Sequence, residues 1–262
     1  MAVTIFDCFP FHDELDLLEM RLHELEDIPN LKHVLVEATV THQDAPKPLY
    51  FADNRERYTQ WADRIIHVVA DRLPTLAEDP DPWARELAQR MWMAEGLTIG
   101  AATSDDIVLQ SDVDEIPRPV VVRNLRMPPR SGVISFEQRG HFWAVDWEYP
   151  PGWFGTTACR VDELPGFPQM RSMRNIAKSL PNAGWHFSWL GGSDSQVALR
   201  KVGSFCHPEV RERIENGIAR NDFFWREGWH VDGIRMRPVD IDRTWPKWIV
   251  EGNAPTSWYR PR

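Results

Sequence analysis

Short apolar runs that alternate with amphipathic segments fill the first 110 residues and constrain the fold most. Runs rich in β-branched residues lie at 3–9, 33–38 and 64–70, and such runs are typical of strands covered on both faces. Apolar residues at helical spacing occupy 13–27 and 81–97. Strands that alternate with helices pack as a parallel sheet between helical layers. The pattern therefore predicts an α/β protein with a mixed, mostly parallel central sheet flanked by helices.

Both predicted helices carry start signals. Pro10 should end the first strand, and Asp13 is then a suitable N-cap for the helix that follows. The second helix has Pro82 in its first turn. We expect its apolar side chains to form the face that packs on the sheet. These side chains are Trp83, Leu87, Met91 and Ala94.

The pattern changes beyond residue 130. Longer, partly antiparallel strands are predicted at 131–147 and 156–164, and 184–192 is expected to lie in a loop-rich stretch. A last helix is predicted at 208–220. An irregular tail with three tryptophans should follow it.

Composition limits the domain organisation and the partners. With 42% hydrophobic residues, the 262-residue chain can bury a substantial core, and no shift in composition marks a linker. We expect one domain, 1–262, with a nucleotide-binding half at 1–120 and a substrate-shaping half at 121–262. The net charge of -9 argues against a nucleic-acid or anionic-membrane partner, because both are met by clustered Lys and Arg.

Cysteine usage and the N-terminus bear on the compartment. Cys8, Cys159 and Cys206 are far apart, so neither a disulfide framework nor a zinc knuckle is indicated. No signal peptide and no apolar run long enough for a transmembrane segment is evident. We expect a soluble, cytoplasmic protein. The 13 tryptophans suit sugar rings and nucleobases as well as a core.

An acidic cluster follows the apolar strand at 107–109 directly. Asp112, Asp114 and Glu115 lie within four positions, and such carboxylates repel one another and cost solvation energy when buried. In an extended segment Asp112 and Asp114 would point to one side and Val113 to the core. Oxygen ligands at the end of such a strand suit Mg²⁺ or Mn²⁺, which would bridge to a diphosphate. The alternative is a solvated acidic turn without a ligand.

Five segments carry a resemblance to a known family. In chain order they are FDCFPFHDELDLLEMRLHEL (6–25), VLVEATVTHQDAPKPLYF (34–51), DDIVLQSDVDEIPRP (105–119), GWHFSW (184–189) and KVGSFCHPE (201–209). Together they resemble glycosyltransferase family 17, whose animal members add the bisecting N-acetylglucosamine to N-glycans. The resemblance implies a GT-A type nucleotide-sugar-binding fold, a divalent metal ion (Mn²⁺ or Mg²⁺) and inversion at the anomeric carbon. It also implies a UDP-sugar donor, UDP-N-acetylglucosamine by analogy, and a glycan or glycoconjugate acceptor.

The resemblance assigns donor-binding roles to five residues. Asp112 would lie near the ribose and, with Asp114, hold the metal ion. Phe9, in the segment 8–11 after the first strand, and Glu37, at the end of the second strand, lie where GT-A enzymes hold uracil and ribose. Arg90 would neutralise the diphosphate; alternatively it only pairs with acids on its own helix.

Three further basic side chains match family positions. His186 and His207 would complete the metal shell or donate to phosphate, and the alternative for each is a hydrogen-bonded core histidine. The animal enzymes lack the second histidine. Lys201 would bind phosphate; alternatively it is a solvated helix lysine.

An inverting transfer is a single displacement that needs a general base on the acceptor side. By the resemblance this base is Asp194, because family members place an acidic residue just after the WHFSWLGG type of segment. Glu209 and Asp232 are fallback candidates. Asp194 could equally cap the helix that follows it.

Departures from the family shape the expected acceptor. The animal members carry a Golgi membrane anchor, which this sequence does not show, and Phe187 and Leu190 replace their paired cysteines. We therefore expect an acceptor other than a eukaryotic N-glycan. Two other function classes stay open: a non-catalytic carbohydrate-binding protein, for which the tryptophans would suffice, and a glycoside hydrolase with two carboxylates.

Overall fold

The structure is a computed structural model that describes residues 2–191, 195–204, 230–231 and 234–260. In its first part four strands alternate with helices, as predicted. The strands are β1 (Ile5–Phe11), β2 (Leu31–Ala38), β3 (Ile65–Ala70) and β4 (Ile107–Gln110), and the helices are α1 (Leu15–Leu25), α2 (Tyr50–Asp53), α3 (Pro82–Met91) and α4 (Met93–Ile99). A 3-10 helix, Arg55–Arg64, precedes β3.

The second part is richer in strands. It contains β5 (Glu115–Pro117), α5 (Pro119–Asn124), β6 (Ile134–Phe142), β7 (Trp147–Arg160), α6 (Phe167–Ser172), β8 (Lys178–Ser188) and α7 (Ser195–Ser204). Three two-residue strands follow, β9 (His230–Val231), β10 (Ile234–Arg235) and β11 (Arg237–Pro238), and then α8 (Lys247–Val250). The helix predicted at 208–220 lies outside the described residues.

Among the described residues nine strands form one mixed sheet in the order β3-β2-β1-β4-β7-β6-β8-β5, with β11 beside β7, and β9 pairs with β10 in a separate two-stranded sheet. The pairs β3–β2, β2–β1 and β1–β4 are parallel, so the carboxyl ends of these four strands meet at one edge. From β4 onward the pairing is antiparallel, except for β6 with β8. Helices cover the sheet, which confirms the predicted α/β class with a mixed, helix-flanked sheet.

Helix α4 approaches β2 very closely. Gly96 lies where a Cβ atom would stand 2.1 Å from the nearest methyl carbon of Val34. Glycine at this position therefore lets the helix pack on the sheet. Met93 and Leu97 of the same helix are buried in the core beside Val34.

Several local predictions were wrong at element boundaries. Strand β1 continues through Pro10 to Phe11. Helix α1 begins two residues beyond Asp13, with Glu14 at the N-cap position and no side-chain capping bond. The loop-rich stretch expected around 184–192 holds the end of β8, which pairs with β6 and β5. The local sequence did not indicate this strand, because its two partner strands, β5 and β6, are distant in the chain.

The prediction of one helix at 81–97 was wrong in two respects. The segment forms two helices, α3 and α4. The side of α3 that was predicted to pack on the sheet faces outward instead: Trp83 and Leu87 are each 40% exposed and Met91 is 63% exposed. The polar face is buried instead. Its side chains are Arg85, Glu86, Gln89 and Arg90.

The buried polar face of α3 is stabilised by hydrogen bonds. Arg85 donates to the carbonyl oxygen of His42 at 2.6 Å, and Gln89 donates to that of Val36 at 2.9 Å. Because these groups find partners, their burial need not cost the desolvation of an unmade bond. Across the described part of the chain, no helix has both the length and the apolar character that a membrane crossing requires.

Candidate active site

The acidic cluster forms a tight turn at the carboxyl end of β4. The amide N–H of Glu115 donates to the carbonyl oxygen of Asp112 at 3.0 Å, and β5 begins at Glu115. The expectation of an extended segment was therefore wrong, although Val113 does turn into the core, where it is 3% exposed. Because β4 is parallel to β1, the turn lies at the sheet edge where ligands of α/β proteins bind. We call residues 112–115 the acidic turn.

Two arginines bind the outer carboxylates of the acidic turn. Arg171 of α6 lies 2.6 Å from Oδ2 of Asp112, and it also donates to both oxygens of Glu115 at 2.7 and 3.0 Å. Arg90 of α3 donates to Oδ1 of Asp112 at 2.5 Å. The mutual repulsion of the carboxylates is thus offset by positive charge from two helices.

The arginines decide the ionisation of Asp112 and Glu115. Burial raises the pKa of Asp112, but Arg171 and Arg90 lower it by more, so the pKa of Asp112 stays well below its ordinary value. Burial likewise raises the pKa of Glu115, and Arg171 reverses this effect. Both groups are therefore carboxylates at neutral pH.

Asp114 has a different environment. Its Oδ1 lies 3.7 Å from Nε2 of His186, and its Oδ2 lies 3.8 Å from Nζ of Lys201. Among the described residues, Oδ1 has no hydrogen-bond partner although it is buried. Burial and the neighbouring Asp112 and Glu115 together raise the pKa of Asp114 to about 8, against the lowering effect of Lys201. Among the described residues no arginine contacts the carboxylate of Asp114, and its counter-charge is the ammonium group of Lys201.

His186 and Trp153 form one wall of the site. His186 lies on β8 opposite Glu115 of β5, so the strand pairing brings it to the turn. Its ring stacks on Trp153 with centroids 4.2 Å apart, and Trp153 donates its indole N–H to Glu115 at 2.7 Å. Burial lowers the pKa of His186 to about 3, so the imidazole is neutral at physiological pH. One of its ring nitrogens can therefore coordinate a metal ion.

The donor set of the site suits a weakly held divalent cation. Asp114 contributes a carboxylate oxygen without a hydrogen-bond partner in the described part of the chain, and Nδ1 of His186 likewise lacks one there. Carboxylate and imidazole are ligands of Mn²⁺ sites, which commonly take their other ligands from water and substrate phosphates. No group of three metal-binding side chains occurs within the described residues. Asp114 and His186 could therefore supply only part of the ligands of a cation, and water or a diphosphate would have to supply the rest.

Phe9 and Glu37, the two other residues predicted to contact the donor, are both buried in the core. Phe9 is 0% exposed and lies under the guanidinium of Arg21, 4.5 Å from ring centroid to cation. Glu37 is also 0% exposed, and its oxygens accept from the amide of Phe51 at 2.9 Å and lie 3.1 Å from His67. Both side chains support the surrounding loops from within the core. Their predicted contacts with uracil and ribose stay predictions.

Arg90 and Lys201 do lie at the acidic turn. Arg90 is 2% exposed and donates to Asp112 and to Glu86 of its own helix, each at 2.5 Å, so pairing with an acid of its own helix is observed. Its predicted role toward a diphosphate stays a prediction. Lys201 lies 5.3 Å above the ring of Trp189 and beside Asp114. The predicted base Asp194, its fallbacks Glu209 and Asp232, and the predicted metal ligand His207 lie outside the described residues.

Sequence reasoning missed three residues of the site. Arg171, Arg174 and Trp153 surround Glu115: Arg174 lies 3.8 Å from its carboxylate and 5.0 Å above the Trp153 ring. A signal was present, because three adjacent carboxylates require counter-charge, and the sequence PGFPQMRSMR places two arginines three residues apart. Nothing local, however, connects that segment to the acidic turn.

The fold and the site together define an α/β protein with a cluster of charged side chains at the carboxyl ends of its parallel strands. The sequence model described as glycosyltransferase family 17 matches residues 2–215, and the chain belongs to this family.

Curated relatives carry one enzyme name. The chain is 24% identical over 216 residues to the human beta-1,4-mannosyl-glycoprotein 4-beta-N-acetylglucosaminyltransferase and 23% identical to the Rattus norvegicus protein of that name. Each match covers 71% of this chain and 40% of the relative, so it spans well under half of those proteins.

Similar solved structures include two proteins of low sequence identity. One is the mannosyltransferase PcManGT from Pyrobaculum calidifontis, in complex with GDP-Man and Mn²⁺, with a TM-score of 0.42, 13% identity and coverage of 89% of this chain and 78% of that one. The other is TarS from S. aureus, with a TM-score of 0.38, 12% identity and coverage of 81% and 69%.

Proposed function

We propose that the chain is a metal-dependent, inverting glycosyltransferase of the GT-A type. It moves a sugar, N-acetylglucosamine by analogy with the named relatives, from a UDP-sugar to a hydroxyl group of a glycan or glycoconjugate. The observation that carries the proposal is Asp114, a buried carboxylate whose Oδ1 has no hydrogen-bond partner in the described part of the chain. It faces an imidazole and an ammonium group at the carboxyl edge of a parallel sheet.

Asp114 and His186 are the residues that would hold the cation, with the diphosphate of the donor as a further ligand. A bound divalent ion supplies Lewis acidity that stabilises the leaving diphosphate. Asp112 was also expected to bind the ion, but both its oxygens are bound to arginines. We therefore assign Asp112 to the neighbouring ribose and arginine contacts.

Positive charge on the leaving side comes from this chain's own residues. Lys201 lies beside Asp114, and Arg174 is 27% exposed in its side chain, so both can reach phosphate oxygens. Arg90 and Arg171 each donate to two carboxylates and act by holding the turn. Fixed positive groups at the position where charge develops stabilise a transition state without reorganisation.

The acceptor side requires a general base that removes the proton of the attacking hydroxyl group. We propose Asp194 for this role, with Glu209 and Asp232 as the next candidates. Support comes from the sequence: Asp194 directly precedes α7, whose Lys201 reaches the acidic turn.

The test is nucleotide binding by calorimetry, with UDP and UDP-N-acetylglucosamine, each with and without Mn²⁺. Wild type should bind both more tightly with Mn²⁺, and Asp114→Asn should lose the Mn²⁺-dependent part. Asp105→Asn is the matched control, because Asp105 precedes the same strand at its other end and its side chain is 72% exposed. GDP-mannose in place of the uridine nucleotide tests the donor base. Absence of nucleotide binding under every metal condition would reject the transferase and favour a carbohydrate-binding protein without catalysis.

A further inference from the structure

A buried ion pair lies directly beneath the acidic turn. Arg21 of α1 donates through Nε to the carboxylate of Asp7 on β1 at 2.8 Å, and a second contact joins Nη2 to the same carboxylate. Both side chains are 0% exposed. His33 of β2 contacts the same oxygen of Asp7 as Nε of Arg21, with Nδ1 2.8 Å from Oδ2. Three elements of the parallel half of the sheet thus contribute to one buried cluster.

Arg21 also contacts the main chain of the acidic turn. Its Nη1 donates to the carbonyl oxygens of Asp112, Val113 and Glu115 at 3.1, 3.3 and 2.9 Å. Its Nη2 donates to the hydroxyl group of Ser111 at 2.6 Å. One guanidinium group therefore binds four of the five residues in the segment 111–115 that presents the carboxylates.

The ion pair is poorly explained by stability alone. A buried salt bridge costs much of its Coulomb energy in desolvation, and apolar side chains of similar volume often stabilise a core as well or better. The charge of Asp7 is nevertheless maintained: burial raises its pKa, while Arg21 and His33 lower it to well below the ordinary value. What an apolar pair cannot do is orient three carbonyl groups at once, because only a planar, multi-donor cation has that geometry.

We propose that Arg21 is a positioning residue that sets the geometry of the acidic turn and thereby its affinity for a divalent cation with a nucleoside diphosphate. This inference rests on the proposed function. Three of the four carbonyl groups of the turn accept from Arg21, while that of Asp114 accepts from the amide of Phe187. The carboxylate of Asp114 is directed to His186 and Lys201. Loss of the guanidinium would release the carbonyls and let the carboxylates move relative to one another.

The test compares Arg21→Lys with Arg64→Lys. Lysine keeps the charge beside Asp7 but cannot bind all the carbonyls, so the variant separates geometry from charge. Arg64 is the matched control, because it also donates to two main-chain carbonyls, those of Glu26 and Ile28, beyond the other end of α1. Ser111→Ala is a milder second variant that removes a single acceptor of Arg21.

Two measurements are made on each variant at a temperature where it is folded. The first is hydrogen exchange of the peptide 110–117, which needs no ligand; we expect at least tenfold faster exchange in Arg21→Lys than in Arg64→Lys. The second is the calorimetric Kd for UDP with and without Mn²⁺. We expect Arg21→Lys to weaken the Mn²⁺-dependent binding of UDP by about tenfold or more. Binding of UDP without the metal ion should stay within about twofold of wild type, because the change is confined to the cation site.

The outcomes separate the inference from the proposed function. Wild type without any nucleotide binding would reject the function, and the exchange measurement would still decide whether Arg21 holds the turn. Exchange and Mn²⁺-dependent affinity equal to those of Arg64→Lys would overturn the inference. If Arg21→Lys does not fold, Ser111→Ala decides: a two- to fivefold loss of Mn²⁺-dependent affinity with faster exchange supports the inference, and wild-type values in both reject it.

Discussion

Arg171 lies 2.6 Å from the carboxylate of Asp112, although the two residues are 59 positions apart in the chain. The same guanidinium binds Glu115, so one side chain from α6 contacts two of the three carboxylates of the acidic turn. The third, Asp114, lies beside His186 and Lys201 instead. The separation of roles within the turn is therefore a consequence of where α6 packs.

Arg171→Met should destabilise the fold. The variant leaves Asp112 with Arg90 alone and removes the principal counter-charge of Glu115, and loss of one partner from a buried ion pair costs about 3–5 kcal/mol. Urea denaturation measures this loss. Adding Glu115→Gln should recover part of it, because the unpaired charge is then removed. If Arg171→Met alone has the free energy of unfolding of wild type, water replaces the Arg171 side chain without cost.

Arg174→Gln should weaken nucleotide binding with little effect on folding. Its guanidinium is 27% exposed and is held by a long ion pair and the Trp153 ring, so it is available to phosphate. Loss of one charge-assisted hydrogen bond corresponds to about a tenfold increase in Kd. Calorimetry with UDP and Mn²⁺ measures the change. The exposed Arg123 provides a control, since Arg123→Gln should keep the wild-type Kd.

The outward-facing apolar side of α3 gives a prediction about stability. Leu87→Glu should change the free energy of unfolding by less than about 0.5 kcal/mol, because Leu87 is 40% exposed. Gln89→Leu should cost about 1–3 kcal/mol, because it removes the bonds to Val36 and His42 within the core. Chemical denaturation of the two variants provides the comparison. The reverse order of costs would mean that the helix packs through its apolar face after all.

Glu24 should make stability fall as pH rises. Burial raises its pKa from 4.5 to about 7 in the folded protein. The folded state therefore holds this proton more tightly than the unfolded chain, and ionisation costs stability increasingly between pH 4.5 and about 7. Glu24→Gln keeps an acceptor for the amide of Lys247, which donates to Glu24 at 2.8 Å, but does not titrate.

Thermal unfolding of the two proteins at pH 5 and pH 8 tests this expectation. The Tm of Glu24→Gln relative to wild type should increase by several degrees from the lower to the higher pH. The same difference at both pH values would show that Glu24 is solvated enough to ionise normally. The charges that surround it in the folded state are Arg118, Lys247 and Glu251.

Local pattern was sufficient for much of the fold. The first four strands, helix α1, a helical segment where α3 and α4 lie, and the place of the acidic cluster after β4 were predicted from periodicity and β-branched content. These signals are reliable because side-chain period and backbone preference act over a few neighbouring residues. The family resemblance likewise followed from contiguous segments, and it is confirmed by the match over residues 2–215.

The amino-acid sequence by itself thus determined that an α/β sheet would present Asp112, Asp114 and Glu115 at a strand end. Tertiary structure alone decided which of them is available, because Arg90 and Arg171 arrive from helices that are distant in sequence. It also decided that α3 buries its polar face, a choice that depends on carbonyl groups of other segments. Electrostatic and hydrogen-bond partners are fixed by the path of the whole chain, and periodicity carries no information about that path.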